Sequence, residues 1–179
     1  MNTPTTSNMM SNATMMDLPA AKSGVLGKVD SLLGLLATMG NALQPLLALG
    51  LRWYVSWQFL KSGWLKATNW QQTVELFNSE YHVPLLPPTL AAVTGTFGEL
   101  FFPVLLIVGL GGRIAPLGLF AVNAMAVISY SHVLFQEGFE AAVGQHVLWG
   151  LMLIVLAVYG QGAIALDRVL QPQPARKIW

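Results

Sequence analysis

Read from the N-terminus, the chain opens with a polar stretch and then becomes apolar for most of its length. Residues 25–41 place Val25, Leu26, Val29, Leu32, Leu33 and Leu36 at helical spacing, with Lys28 and Asp30 elsewhere. A segment of this length and pattern predicts an amphipathic helix lying on a membrane surface. Four longer apolar segments follow, at about Pro45–Trp64, Leu90–Leu110, Arg113–Tyr130 and Gln145–Gly160. Each is close to the ~20 residues that cross ~30 Å of hydrocarbon as a helix.

These elements predict an all-α membrane protein: a four-transmembrane-helix antiparallel bundle preceded by the amphipathic helix. Pro45 suits a first helical turn. Pro103 predicts a kink in the second span, where neighbouring helices can satisfy the freed carbonyl. The third span is expected to begin properly around Pro116. The short turn GLGGR at 109–113 makes the second and third spans a hairpin. The longest connection, roughly 65–89, carries Trp70, Phe77 and Tyr81 and ends in PLLPP. Its aromatics predict a partly helical cap at headgroup level.

Composition agrees with this reading. Of 179 residues, 54% are hydrophobic and 9% charged, against about 25% charged in soluble domains. Mean hydropathy is +0.57. Residues 1–24 read as a disordered polar tail without a secretory signal, and 171–179 as a short second tail. Met9, Met10, Met15 and Met16 in the first tail are soft donors suited to copper(I), although methionines in a polar tail are more often incidental. The absence of cysteine excludes disulfides and thiolate metal sites within this chain, so a redox role needs a bound cofactor or a partner. The net charge of +1 and the lack of a basic run exclude nucleic acid as a partner.

Lysine and arginine set the expected orientation. Lys22, Lys28, Arg113, Arg168, Arg176 and Lys177 fall on one side, and Lys61 and Lys66 on the other. The bias predicts a bacterial inner (plasma) membrane location with both termini cytoplasmic.

The charges inside the apolar segments are the candidate chemistry. Counted at ~1.5 Å per residue, Arg52 lies ~10 Å, Glu99 ~16 Å and Asn123 ~15 Å above the inner boundary. The three are therefore expected to form one buried polar cluster, with Arg52 reaching Glu99. Such a cluster could hold a quinone headgroup, pass a proton, or simply lock helix register. Arg52, Phe59, Gly63 and Lys66 recur at steps of three or four residues and share one face of the first span. His82, His132 and His146 lie towards the outer side, where their interfacial placement is weak ground for a metal site.

The stretch LRWYVSWQFLKSGWLKATNW, the glutamate in GTFGELFFPVLLIVGL, and the turn GLGGRIAPLGL together resemble the DoxX family over about residues 45–170, within a four-helix transmembrane domain expected at 42–170. Its most specific part is Arg52, Phe59, Gly63 and Lys66 followed by Glu99. The resemblance implies a four-span membrane protein and association with membrane redox or detoxification complexes. It leads to an accessory, quinone-associated subunit of a redox or stress-response system, a non-catalytic subunit more than a stand-alone enzyme. Its partners would be the lipid bilayer and a redox or metal-handling protein. The competing expectations are a small oligomeric transporter or pore, in which homo-oligomers enclose the path, and a metal-handling membrane scaffold.

Overall fold

Leucine, alanine, valine and phenylalanine dominate the apolar segments, and with the backbone bonded internally they form helices. The computed structural model describes residues 24–160, 162 and 164–170; the two polar tails, with their methionines, lie outside these residues apart from Gly24. Every regular element among the described residues is a helix: α1 (Val25–Thr68), α2 (Trp70–Ser79), α3 (Pro88–Val108), α4 (Ile114–Ser129), α5 (Ser131–Leu134), α6 (Glu140–Tyr159) and α7 (Leu166–Leu170). The chain divides into two units, one ending at Met39 and the other beginning at Gly40.

Where the sequence predicts an interfacial helix followed by a separate span, α1 runs without a break for 44 residues, with Pro45 inside it. Proline removes one backbone donor and crowds the preceding turn. The strong helix formers on both sides, ALQ before and LLALGLRW after, carry the helix through. In the N-terminal unit Leu32, Leu33, Leu35, Leu36 and Met39 are all exposed.

In the second unit, α1 contributes Val55 and Phe59 to a core shared with Leu106 of α3, Ala115 and Leu119 of α4, and Leu153 and Leu156 of α6. Glycines and aromatic rings mark where the helices of this core approach closely. A side chain added at Gly98 would strike Val122, and one at Gly118 would strike Phe102. Phe120 of α4 lies against Gly150 of α6, and Phe59 meets Trp149 edge-on with ring centroids 5.6 Å apart.

The boundaries shift from expectation in instructive places. Pro87 and Pro88 start α3, where a missing N–H costs nothing. Its C-terminus is Gly109 in the left-handed conformation at φ 80°, the usual glycine stop. Within α4, Pro116 occupies the first turn, so the helix begins at Ile114 rather than at the proline. The last long helix, α6, starts five residues before the expected Gln145, because the EAAV segment is itself helix-forming. Part of the long connection is helical as expected: α2 turns Thr73 and Phe77 inward and leaves Gln71, Gln72 and Glu75 exposed. Phe77 packs on Ala91 and Ala92 of α3.

The distribution of polarity is inverted relative to a water-soluble protein. Arg52, Ser56, Glu99 and Asn123 are buried, whereas Trp53, Phe97, Leu151 and Val158 are more than half exposed. A surface this apolar needs hydrocarbon against it. Three helices, α1, α3 and α6, are long and apolar enough to cross a membrane, and α4 is a shorter apolar helix.

Close helix approach is testable at Gly98, where an added Cβ would lie 2.7 Å from Val122 Cγ2. Gly98→Leu should destabilise the protein in detergent by about 1–3 kcal/mol through overpacking, read as a lowered thermal midpoint by circular dichroism. Gly34→Leu, at a position with open space around it, should leave the midpoint within a degree or two of wild type.

Candidate functional site

The expected single cluster is three separate arrangements. Arg52 is 1% exposed, and its guanidinium faces the C-terminal end of α3. Nε donates to Leu106 O at 2.7 Å, Nη2 to Ile107 O at 2.5 Å, and Nη1 to Ile164 O at 2.9 Å. Helical side chains lean towards their own N-terminus, which directs Arg52 along α1 away from Glu99. The last carbonyls of a helix have no intrahelical partner and carry the negative end of its dipole. Arg52 satisfies both deficits. Gly109 is required beside it, since a Cβ there would lie 2.7 Å from Arg52 Nη2 and from Ala165 Cα.

The segment after α6 closes this end. Asp167 N–H donates to Gly109 O at 3.1 Å, and the Asp167 carboxylate accepts from Gly112 N–H. The α3–α4 turn, Arg52 and α7 are thereby tied together.

Glu99 pairs with Lys66 rather than Arg52, a correction to the sequence expectation. Lys66 Nζ lies 2.8 Å and 2.7 Å from the two carboxylate oxygens and donates to Ser62 Oγ at 2.7 Å. The side chains are only 14% and 10% exposed. Gly63 makes this approach possible, because a Cβ there would meet Leu100 Cγ at 2.9 Å and Glu99 Cβ at 3.0 Å. The face Arg52–Phe59–Gly63–Lys66 thus points into the bundle, but its two cations reach different parts of α3, Arg52 its last turn and Lys66 the Glu99 carboxylate near its middle. The same leaning rule turns Lys66 back along α1 and Glu99 out along α3, so they converge. That is the signal a height count alone does not contain.

Asn123 is the third arrangement. Its Nδ2 donates to His146 O at 3.0 Å, and Oδ1 lies 2.8 Å from His146 Nδ1. With the amide NH₂ spent on the carbonyl, Oδ1 is an acceptor and His146 Nδ1–H the donor. The pair joins α4 to α6.

The Lys66–Glu99 pair forms part of the wall of a cavity of about 280 Å³, otherwise lined mainly by apolar groups including Phe77, Val83, Leu86, Phe102 and Met125. Tyr81 also lines it. Burial, reinforced by the negative charge of Glu99 and by Tyr130 and Glu80, pushes its hydroxyl up to about 12. Tyr81 therefore remains a neutral hydrogen-bond donor at physiological pH. The α2 lid is held by Thr73 Oγ1, which donates to Lys66 O at 3.0 Å.

Of the three histidines, the structure brings His82 and His132 together, with ring centroids 4.7 Å apart. His146 stacks edge-on with Trp149 elsewhere. Among the described residues, no three histidine, aspartate or glutamate side chains converge as a metal-binding group.

Polar groups locked inside a helical bundle with an apolar exterior define a helical integral membrane protein. The family model for DoxX matches residues 47–132, which makes this segment, from α1 to α5, a DoxX domain. No curated protein matches the chain, and no solved structure does.

Removing either charged partner separates the roles of the two cations. Arg52→Met should cost on the order of 3–5 kcal/mol by leaving buried carbonyls without a donor, and Arg52→Lys should recover little because an ammonium lacks the planar fork. Lys66→Met alone strands the Glu99 carboxylate, whereas Lys66→Met with Glu99→Leu removes both charges and should restore much of the lost stability. Thermal unfolding of the four variants in one detergent measures this.

Proposed function

We propose that the chain is a four-span antiparallel bundle of a bacterial inner membrane, with both termini cytoplasmic. In this reading α4, at 16 residues, is the fourth span, lengthened by α5. We further propose that it is an accessory, quinone-associated subunit of a membrane redox or stress-response system.

The observation that carries the second part is the Lys66–Glu99 pair in the wall of an apolar cavity. A quinone combines an apolar ring and tail with carbonyl oxygens that accept hydrogen bonds. One quinone carbonyl would take over from Ser62 Oγ an N–H of the Lys66 ammonium, and Tyr81, which lines the same cavity, carries a second donor. Glu99 holds the ammonium in place through both carboxylate oxygens and lines the same cavity. The volume suits a headgroup and the start of its chain, near the lower end of ordinary ligand sites at roughly 300 Å³. Arg52 is engaged by the carbonyls of Leu106 and Ile107 at the end of α3 and of Ile164 beyond α6, so the quinone is proposed at Lys66 rather than at Arg52.

Quinone extracted from protein purified in mild detergent should be present in wild type and reduced at least about tenfold in Lys66→Met with Glu99→Leu, on loss of one charge-assisted hydrogen bond. Equal quinone in both proteins rejects the site. For topology, alkaline phosphatase fused after Asn69 should be active and green fluorescent protein fused after Leu170 should fluoresce. The reverse pattern rejects the orientation.

A further inference from the structure

Two lysines lie five residues apart near the end of α1, and their surroundings differ sharply. Lys66 faces the bundle and has Glu99. Lys61 is exposed and has no ion-pair partner among the described residues. It lies in a groove of about 380 Å³ formed with Trp57, Leu60, Trp64 and Leu100. Trp57 and Trp64 are 51% and 67% exposed. The groove is thus a strip of apolar surface between α1 and α3 with one cation and two indoles in it.

The level of this groove follows from its neighbours. Trp64 precedes the end of α1 by four residues, and α2, directly after it, exposes Gln71, Gln72 and Glu75. Exposed tryptophans followed at once by exposed polar side chains mark the boundary between hydrocarbon and headgroups. Lys61 lies about 5 Å below Trp64 at the helical rise, within reach of that boundary for a snorkelling side chain. A lipid-facing ammonium at this depth needs an anion, and the described residues present none to it.

We infer that the groove of Lys61, Trp57 and Trp64 is a binding site for an anionic phospholipid of the phosphatidylglycerol type. The lipid phosphate pairs with the Lys61 ammonium. The indole N–H groups donate to phosphate or ester oxygens, and an acyl chain lies along Leu60 and Leu100. The net negative charge of the lipid matters, because a zwitterionic headgroup carries its own cation to compete with Lys61. The site rests on the chain being membrane-embedded but not on quinone binding, since none of its residues lines the cavity beside Lys66.

Native mass spectrometry of the detergent-purified full chain, titrated with phosphatidylglycerol or with phosphatidylcholine of the same acyl chains, tests this. Wild type should bind the first phosphatidylglycerol about fivefold more tightly than phosphatidylcholine, as one lysine at a membrane surface allows. Lys61→Gln should abolish the preference, and Lys61→Arg should retain it. Lys61 is exposed, so both variants should keep the wild-type circular dichroism spectrum. No preference in wild type, a preference undiminished in Lys61→Gln, or failure of arginine to substitute would each overturn the assignment.

Discussion

A single buried guanidinium organises one end of the bundle. Arg52 donates to carbonyls in the last turn of α3 and to Ile164 beyond α6, so three distant parts of the chain meet on one side chain. Burying a charge is expensive unless its hydrogen bonds are met. Here the helix end supplies acceptors already lacking partners and already bearing partial negative charge. The left-handed glycine at 109 stops α3 and clears space for the guanidinium, and Asp167 fastens the following turn. A side chain that looks costly in the middle of an apolar segment is therefore a helix cap delivered from another helix.

Membrane residence makes such polar contacts consequential. Between helices in hydrocarbon, the apolar exterior gives little preference for one packing over another, so close approach at small residues and buried hydrogen bonds carry the specificity. The bundle uses both. Gly63, Gly98 and Gly118 bring backbones near Leu100, Val122 and Phe102. Lys66–Glu99 and Asn123–His146 then pin α1 to α3 and α4 to α6. Each polar pair has its partner on a neighbouring helix, which a merely apolar core would not dictate.

The same ion pair has a second property, because it borders empty space. Register could be held by a pair fully enclosed in side chains, as Asn123 and His146 come closer to being. Lys66 and Glu99 instead face a cavity whose other walls are aromatic and aliphatic, with a neutral tyrosine hydroxyl among them. Structural locking and ligand recognition are compatible in one pair, since holding the ammonium oriented serves both.

The apolar segments, their lengths and the glycine and proline punctuation were legible in the sequence, because hydropathy and helix stop signals are local properties of the chain. So were the membrane class, the resemblance carried by Arg52, Phe59, Gly63, Lys66 and Glu99, and the single helix face those α1 residues share. Who pairs with whom was not. Counting residues along separate helices assigns heights to Cα atoms, and it set Arg52 beside Glu99. The direction in which each long side chain leans, the end of α3 where carbonyls lack partners, and the space left by Gly63 and Gly109 separated them by a large part of the helix length. Continuity through Pro45 was equally hidden, since a proline at a segment start and a proline within a longer helix look alike locally. The cavity under α2 exists only because Phe77 and Tyr81, distant from α4 in sequence, come to stand opposite Met125 and Ser129, and no local pattern encodes that meeting.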